Sequence, residues 1–290
     1  MAPTVRPTDA TLGAVVTGVD LARLADDAWR ALEDAFHEHA VLIFPEQGLT
    51  SEQQVAFAER FGEIEILTPG REQKAVPISN VKPGGAIADA SDEFVQILRG
   101  NEGWHTDSSY MPLSAKASVL SAHVVPSKDG QTEWADMRAA WDALDDATRE
   151  RVAGLSAFHS LYHSQAKIGH EAKSGGLSGF HREGAPLRPL VKVHPVTGRK
   201  ALYVGRHAYG IPGLSEQESA RLLDELVEFA CRPPRVLQHE WRVGDVVVWD
   251  NRCVLHRARP YDYGEPRVMV HTRVAGDPKS EWAETHADHR

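Results

Sequence analysis

The chain has few cysteines, no long apolar run and no basic cluster, and each scarcity excludes a class of function. Its 290 residues include two cysteines, Cys231 and Cys253, and neither belongs to a CxxC pair, so no thiolate zinc site is indicated. No stretch is apolar enough to span a membrane, and the N-terminus lacks a signal core. The net charge of −9, without a Lys/Arg run, argues against nucleic acid. We therefore expect a cytoplasmic globular protein with neither a membrane nor a nucleic-acid partner.

Strands and helices alternate in the first third of the chain, and short predicted strands dominate from Trp104 onward. Asp26 is predicted to cap an amphipathic helix that runs to about His39, and a capping box at 50–53 begins another that ends near 61–62. Further helices are indicated near 136–153 and 215–231. Strands are predicted at 11–19, 41–44, 76–81, 118–125, 190–193, 201–205, 236–241, 245–249, 254–258 and 267–274. Many short strands separated by turn signals favour an antiparallel sandwich or barrel. We predict a mainly β fold with flanking helices, specifically a double-stranded β-helix (jelly roll).

Residues 164–186 differ from the rest of the chain because they are rich in glycine and serine. A loop of this length inside a compact domain is often an active-site lid, although a plain surface insertion is the alternative. The chain shows no internal repeat and no low-complexity segment, and a single β-rich domain of 290 residues is ordinary. We therefore expect residues 1–290 to form a single domain, with 164–186 as its lid loop.

His105, Asp107 and His256 form the most informative pattern. Residues two apart on a strand point to the same face, so His105 and Asp107 are predicted to bind one ion from one strand. The third ligand, His256, lies 151 residues later (256 − 105) in an apolar context. Two imidazoles and one carboxylate on one face of an octahedron leave three positions open, which suits non-haem Fe(II).

The last predicted strand, residues 267–274, alternates in polarity. Arg267, Met269, His271 and Arg273 share one face. Such a face either meets solvent or lines a cavity. Because the strand follows His256 closely, we favour the cavity. A buried guanidinium requires a partner, and a carboxylate offers bidentate geometry. Arg267 is therefore a candidate for binding the distal carboxylate of a 2-oxo diacid.

Several longer runs carry a family resemblance over nearly the whole chain. They are residues 78–81 (ISNV), 104–108 (WHTDS), 135–140 (ADMRAA), 190–195 (LVKVHP), 205–208 (GRHA) and 249–257 (WDNRCVLHR). In these runs the chain resembles the taurine dioxygenase/2,4-dichlorophenoxyacetate dioxygenase family of Fe(II)- and 2-oxoglutarate-dependent oxygenases. Within that family it is most similar to the aryloxyalkanoate group, in particular the (S)-phenoxypropionate dioxygenases.

The resemblance implies roles for individual residues. It implies that His105, Asp107 and His256 bind Fe(II), and that Arg267 and Thr132 bind 2-oxoglutarate, which reacts with dioxygen. It also implies a small anionic substrate and a homo-oligomeric protein.

Four further residues are candidates for contacting the substrate. The resemblance places His207 in the substrate pocket, and Lys167 is a weaker candidate there. Taurine dioxygenase-like members carry a second arginine four residues after the 2-oxoglutarate arginine. Here that position is His271, and Arg273 lies two residues further. This departure argues against taurine and leaves His271 and Arg273 as substrate candidates.

We therefore expect oxidative decarboxylation of 2-oxoglutarate to succinate and CO2, coupled to hydroxylation of an aryloxyalkanoate. The hydroxylated product would collapse to a phenol and a 2-oxo acid. One alternative is the same chemistry on a sulfonate, an alkyl sulfate or another carboxylate. A more distant alternative is a metal-binding jelly-roll protein that is not an oxygenase.

Overall fold

A seven-stranded mixed sheet is the largest element of the computed structural model, which describes residues 3–66, 72–89, 92–169 and 184–284. Its strands, in spatial order, are β1 (Thr4–Pro7), β2 (Ala14–Thr17), β3 (Val41–Phe44), β13 (Val246–Asp250), β5 (Ala115–Val124), β15 (Val268–Ala275) and β4 (Val76–Ser79). Only the pairing of β2 with β3 is parallel.

Three smaller sheets complete the strands of the described residues. One contains β12 (Val236–His239), β6 (Thr132–Asp136) and β14 (Val254–Ala258). Another contains β11 (Ala208–Tyr209), β7 (Ser156–His159) and β8 (Leu187–Pro189), and the third pairs β10 (Lys200–Leu202) with β9 (Val191–Val193).

The helices are α1 (Asp26–His39), α2 (Ser51–Glu59), α3 (Glu93–Gly100), α4 (Met137–Ala143), α5 (Asp146–Val152), α6 (Leu161–Ala166), α7 (Glu216–Ala230) and α8 (Pro278–Glu281), with a 3-10 turn at Leu21–Arg23. No helix in these described ranges is long and apolar enough to cross a membrane.

Both faces of the large sheet are covered, which explains why β13 is buried along its whole length. Val246 and Val248 belong to a core shared with Phe57 of α2, whereas Val247 belongs to a second core shared with Trp134 of β6. Alternate residues of a strand point to opposite faces, so this division follows from the pleat. The β12–β6–β14 sheet thus covers one face of the large sheet, and α1 and α2 cover the other.

Each predicted strand and helix has an observed counterpart, but β1, α3, β6, β7, α6, β8, β11 and α8 were not predicted, and the helix predicted near 136–153 is two helices, α4 and α5. Helix α1 has the predicted bounds, but Asp26 is not its cap. The N-cap is Ala25, which makes no side-chain cap hydrogen bond, and Asp26 instead forms an ion pair with Arg60 at 2.8 Å. The predicted capping box of α2 is confirmed, because Thr50 and Gln53 exchange the expected bonds, although the helix ends at Glu59.

Candidate active site

Direct backbone pairing joins the two histidines that are far apart in sequence. The His105 N–H donates to the His256 carbonyl at 3.0 Å, and the His256 N–H donates to the His105 carbonyl at 2.7 Å. His256 lies in β14, and β14 is held in place by β6. The β12–β6–β14 sheet therefore places His256 beside His105.

Asp107 does not share a strand with His105, so that part of the prediction is wrong. Only His105 forms a bridge, and residues 107–110 form a turn. The turn is held by Asn251, whose side-chain oxygen accepts the Asp107 N–H at 3.2 Å and whose carbonyl accepts the Thr106 hydroxyl at 2.7 Å. Ser108 adopts a positive φ of 55°. The carboxylate thus reaches the histidines by a turn held by tertiary hydrogen bonds.

The three side chains form a buried cluster with the donor set of a metal site. One potential ligand atom from each of His105, Asp107 and His256 lies within 4.8 Å of the others. His256 Nε2 is 3.8 Å from Asp107 Oδ2. His105 Nδ1 is 2.8 Å from the Gly103 carbonyl, which can only accept, so Nδ1 carries the proton and Nε2 keeps its lone pair.

The electrostatics of the cluster favour the protonation states that metal binding requires. Burial lowers the pKa of His105 to about 4 and that of His256 well below its usual value, so both rings are neutral near pH 7. Burial alone would raise the pKa of Asp107, but the positive charge of Arg273 outweighs it and holds that pKa well below its usual range. Two neutral imidazoles and one carboxylate fit Fe(II).

The predicted polar face of the last strand does line a cavity. The cavity, of about 70 Å³, is bounded by the three clustered side chains and by Thr132, Arg267, His271 and Arg273. His271 stacks on Trp249 with ring centroids 5.9 Å apart. Asn101 also lines the cavity, and no pattern in the sequence pointed to it.

Arg267 lies beside this cavity as a buried cation without a carboxylate partner in the described part of the chain. The side chain makes one hydrogen bond, from Nη2 to the Gly130 carbonyl at 3.3 Å, and the buried Nε has none. Burial lowers the pKa of Arg267, which reflects the cost of an unpaired charge. A bound carboxylate would relieve that cost, so the site fits a dicarboxylate such as 2-oxoglutarate.

Thr132 lines the same cavity as Arg267 and has a hydroxyl group that can donate a hydrogen bond there. The Trp241 Nε1–H donates to the Thr132 hydroxyl oxygen at 2.9 Å, which leaves the hydroxyl proton free to donate to a ligand. Sequence reasoning did not single out Trp241. Its bond makes Thr132 a donor in the same cavity as Arg267.

Comparisons with known proteins agree with this geometry. The family model "Taurine catabolism dioxygenase TauD, TfdA family" matches residues 4–273. The chain belongs to this family. Members are Fe(II)- and 2-oxoglutarate-dependent oxygenases, so the chain is an enzyme of that class.

Individual relatives span almost the whole chain. A (S)-phenoxypropionate/alpha-ketoglutarate-dioxygenase from Sphingobium herbicidovorans is 54% identical over 97% of this chain and 98% of its own length. An alpha-ketoglutarate-dependent sulfate ester dioxygenase from Pseudomonas putida is 30% identical over 94% and 89%. The crystal structure of AAD-2 with Mn(II) and N-oxalylglycine aligns with a TM-score of 0.89 and 38% identity, over 99% of this chain and 100% of that one.

Asn80 was present in a run shared with the family, yet its role emerges only from the structure. Its side-chain oxygen accepts the Arg267 N–H at 2.8 Å, and its amide donates to the carbonyls of Tyr263 and Glu265 at 2.9 and 2.7 Å. Asn80 therefore holds the chain that leads into β15 and sets the position of Arg267.

The remaining substrate candidates differ in their distance from the cluster. His207 is buried next to it, with its ring centroid 5.8 Å from that of His105, and its Nδ1 is 2.8 Å from the Ser164 hydroxyl. Lys167 is exposed and lines two outer cavities, not the one that contains the three clustered side chains. Most of the predicted lid, residues 170–183 of 164–186, lies outside the described residues.

A second buried group, His194, Asp250 and Cys253, also has metal-binding residue types. The side-chain atoms that could bind a metal already have hydrogen-bond or ion-pair partners. His194 Nδ1 accepts the Val196 and Thr197 N–H groups, so its Nε2 carries the proton and donates to Asp250 at 3.0 Å. Asp250 also forms an ion pair with Arg252 at 2.6 Å. This group is a satisfied structural network.

Proposed function

We propose that this oxygenase hydroxylates an aryloxyalkanoate and cleaves it to a phenol and a 2-oxo acid. The observation that carries the chemistry is one cavity that joins the His105–Asp107–His256 cluster to an unpaired Arg267 guanidinium. The substrate class is supported by the 54% identical relative named for (S)-phenoxypropionate.

The residues of the chain have distinct roles in this proposal. His105, Asp107 and His256 would hold Fe(II), and Arg267 with Thr132 would bind the distal carboxylate of 2-oxoglutarate. The iron centre, when bound, supplies the oxidation of a substrate C–H bond by dioxygen, with succinate and CO2 as co-products. The burial of the cluster excludes bulk water from the reacting atoms.

Product formation follows from where the hydroxyl group is placed. On an aryloxyalkanoate, hydroxylation of the carbon beside the ether oxygen gives a hemiacetal or hemiketal. That product loses the aryloxy group as a phenol and leaves a 2-oxo acid. A substrate carboxylate needs a hydrogen-bond donor near the metal, and His207 is the buried candidate next to His105. Its neutral ring can donate from Nε2 in the tautomer whose Nδ1 accepts the Ser164 hydroxyl proton. Lys167, on the outer side, stays a weaker candidate.

The proposal also includes expectations about the fold, the domain and its lid, the oligomeric state and the location of the protein. The two sheets on either side of the cluster are consistent with a double-stranded β-helix (jelly roll). Residues 1–290 would form one dioxygenase domain, with 164–186 as its lid. The homo-oligomeric state and the cytoplasmic location stay predictions.

The test is oxygen uptake by anaerobically purified, Fe(II)-loaded protein with 2-oxoglutarate and a substrate panel. The panel contains (S)- and (R)-dichlorprop, 2,4-dichlorophenoxyacetate, an alkyl sulfate and taurine, and phenol release is measured in parallel. We expect uptake with phenol release for an aryloxyalkanoate, and neither in His105→Ala.

Two other outcomes would redirect the proposal. Uptake stimulated only by the alkyl sulfate would transfer the substrate class to that of the 30% identical sulfate ester dioxygenase. Metal binding without any uptake would favour the distant alternative, a metal-binding protein that is not an oxygenase.

A further inference from the structure

Arg273 was a substrate candidate on sequence grounds, but its guanidinium is already engaged. Nη2 lies 3.0 Å from Asp107 Oδ1, and Nη1 lies 3.1 Å from the Ser108 hydroxyl oxygen. The side chain is 14% exposed, and burial of an ion pair this close strengthens the attraction. The charge of Arg273 is therefore opposed by the carboxylate of Asp107, not left free for a substrate anion.

The two oxygens of Asp107 have different surroundings. Oδ2 lies 3.8 Å from Nε2 of His256, another predicted ligand, and 3.5 Å from Nε2 of His271, and it accepts the Ser118 hydroxyl proton at 2.7 Å. Oδ1 forms the ion pair with Arg273. Oδ2 is therefore the oxygen that would face a metal, and Oδ1 is the one that Arg273 holds.

Arg273 is in turn linked through Ser108 to a half-buried acidic group, Glu65. The Ser108 hydroxyl accepts from Arg273 and donates its single proton to Glu65, whose two carboxylate oxygens both lie 2.8 Å away. Ser108 reaches this position through its positive φ of 55°. Strained backbone persists where surrounding contacts enforce it, and here it aligns Ser108 between Glu65 and Arg273.

We propose that Arg273 is a positioning residue that keeps Asp107 monodentate toward the metal. The inference rests on the proposed function, in which 2-oxoglutarate takes two open metal positions and dioxygen needs a third. A carboxylate that bound through both oxygens would occupy one of them. By holding Oδ1, Arg273 keeps that position open, and Ser108 and Glu65 hold Arg273 in place.

The test measures metal coordination instead of turnover. Metal-free wild type, Arg273→Gln and Arg273→Lys are titrated anaerobically with Co(II), whose visible absorption reports coordination number. Disturbing a group that orients a ligand typically weakens metal binding about 10–100-fold. We expect a loss of that size and a changed Co(II) spectrum in Arg273→Gln, and a smaller loss in Arg273→Lys, which keeps the charge. Arg221→Gln, an exposed arginine on α7, is the matched control and should bind as the wild type does.

The contrary result is also well defined. If Arg273→Gln keeps the wild-type Co(II) affinity and spectrum while the KM for substrate rises, Arg273 binds substrate and the inference is wrong. Near-UV circular dichroism checks folding, and Arg273→Lys carries the same comparison if Arg273→Gln does not fold. Failure of wild type to bind Co(II), or equal binding by His256→Ala, would instead contradict the proposed metal site.

Discussion

Replacing Arg267 by glutamine should weaken 2-oxoglutarate binding while leaving the metal site intact. Among the described residues, the buried Arg267 Nε–H has no partner and the side chain makes one long hydrogen bond, from Nη2 to Gly130 at 3.3 Å, so most of its five N–H donors remain for a carboxylate. A hydrogen bond to a charged group contributes about 1.5–3 kcal/mol. Loss of the bidentate pair, at about 3 kcal/mol, corresponds to roughly 100-fold weaker binding.

The assay is calorimetric titration of Mn(II)-loaded protein with 2-oxoglutarate in the absence of oxygen. Arg221→Gln removes an exposed arginine from α7 and should bind 2-oxoglutarate as the wild type does. Mn(II) affinity should be unchanged in Arg267→Gln, because Arg267 does not contact the three clustered ligands in the described residues. Near wild-type 2-oxoglutarate affinity in Arg267→Gln would refute the assignment of the cavity.

Three further predictions concern groups around the same cavity. Thr132→Val should weaken 2-oxoglutarate binding by about 10-fold and leave Trp241 without its acceptor, whereas Thr132→Ser should preserve binding. Equal affinities of the two variants in the same calorimetric titration would contradict this prediction. Asn80→Ala should lower the free energy of unfolding by about 2–4 kcal/mol, because the Arg267 N–H and the carbonyls of Tyr263 and Glu265 lose their hydrogen-bond partner. A decrease of less than about 1 kcal/mol, measured by urea denaturation, would contradict this. In the metal-free protein, His105 has a pKa near 4 against 6.5 in the unfolded chain. Between these two pH values the unfolded state binds a proton at His105 and the folded state does not. Stability should therefore decrease as pH falls from 6.5 toward 4, by about 2 kcal/mol at pH 5 for such a histidine, and equal urea midpoints at pH 7 and pH 5 would count against this.

Periodicity predicted only segments with a clear buried face, and it missed others such as β6, which is buried along its whole length and shows no alternation. Helix α1 and strand β14 have their predicted bounds. The cap of α1 was wrong because Asp26 has a competing partner, Arg60, that lies 34 residues away and has no local signal.

The sequence predicted which three side chains cluster, but not how they are brought together. Residue types and spacing singled out His105, Asp107 and His256, which the structure places within 4.8 Å of one another. The turn that aims Asp107 depends on Asn251, which is supplied by the far end of the chain. Likewise, alternation placed Arg273 on the cavity face, but only coordinates show that Asp107 already opposes its charge. Partners distant in sequence decide what a polar side chain is free to bind.

The paired backbones of His105 and His256 link the metal centre to the completion of folding. The two residues close a segment of about 150 residues, and closing such a loop costs on the order of 4 kcal/mol of chain entropy. An unfolded chain therefore holds these ligands apart, and only the assembled sheets present them together. Metal occupancy at this site should measure the native fraction of a preparation, which makes a bound ion a probe of correct assembly as well as a cofactor.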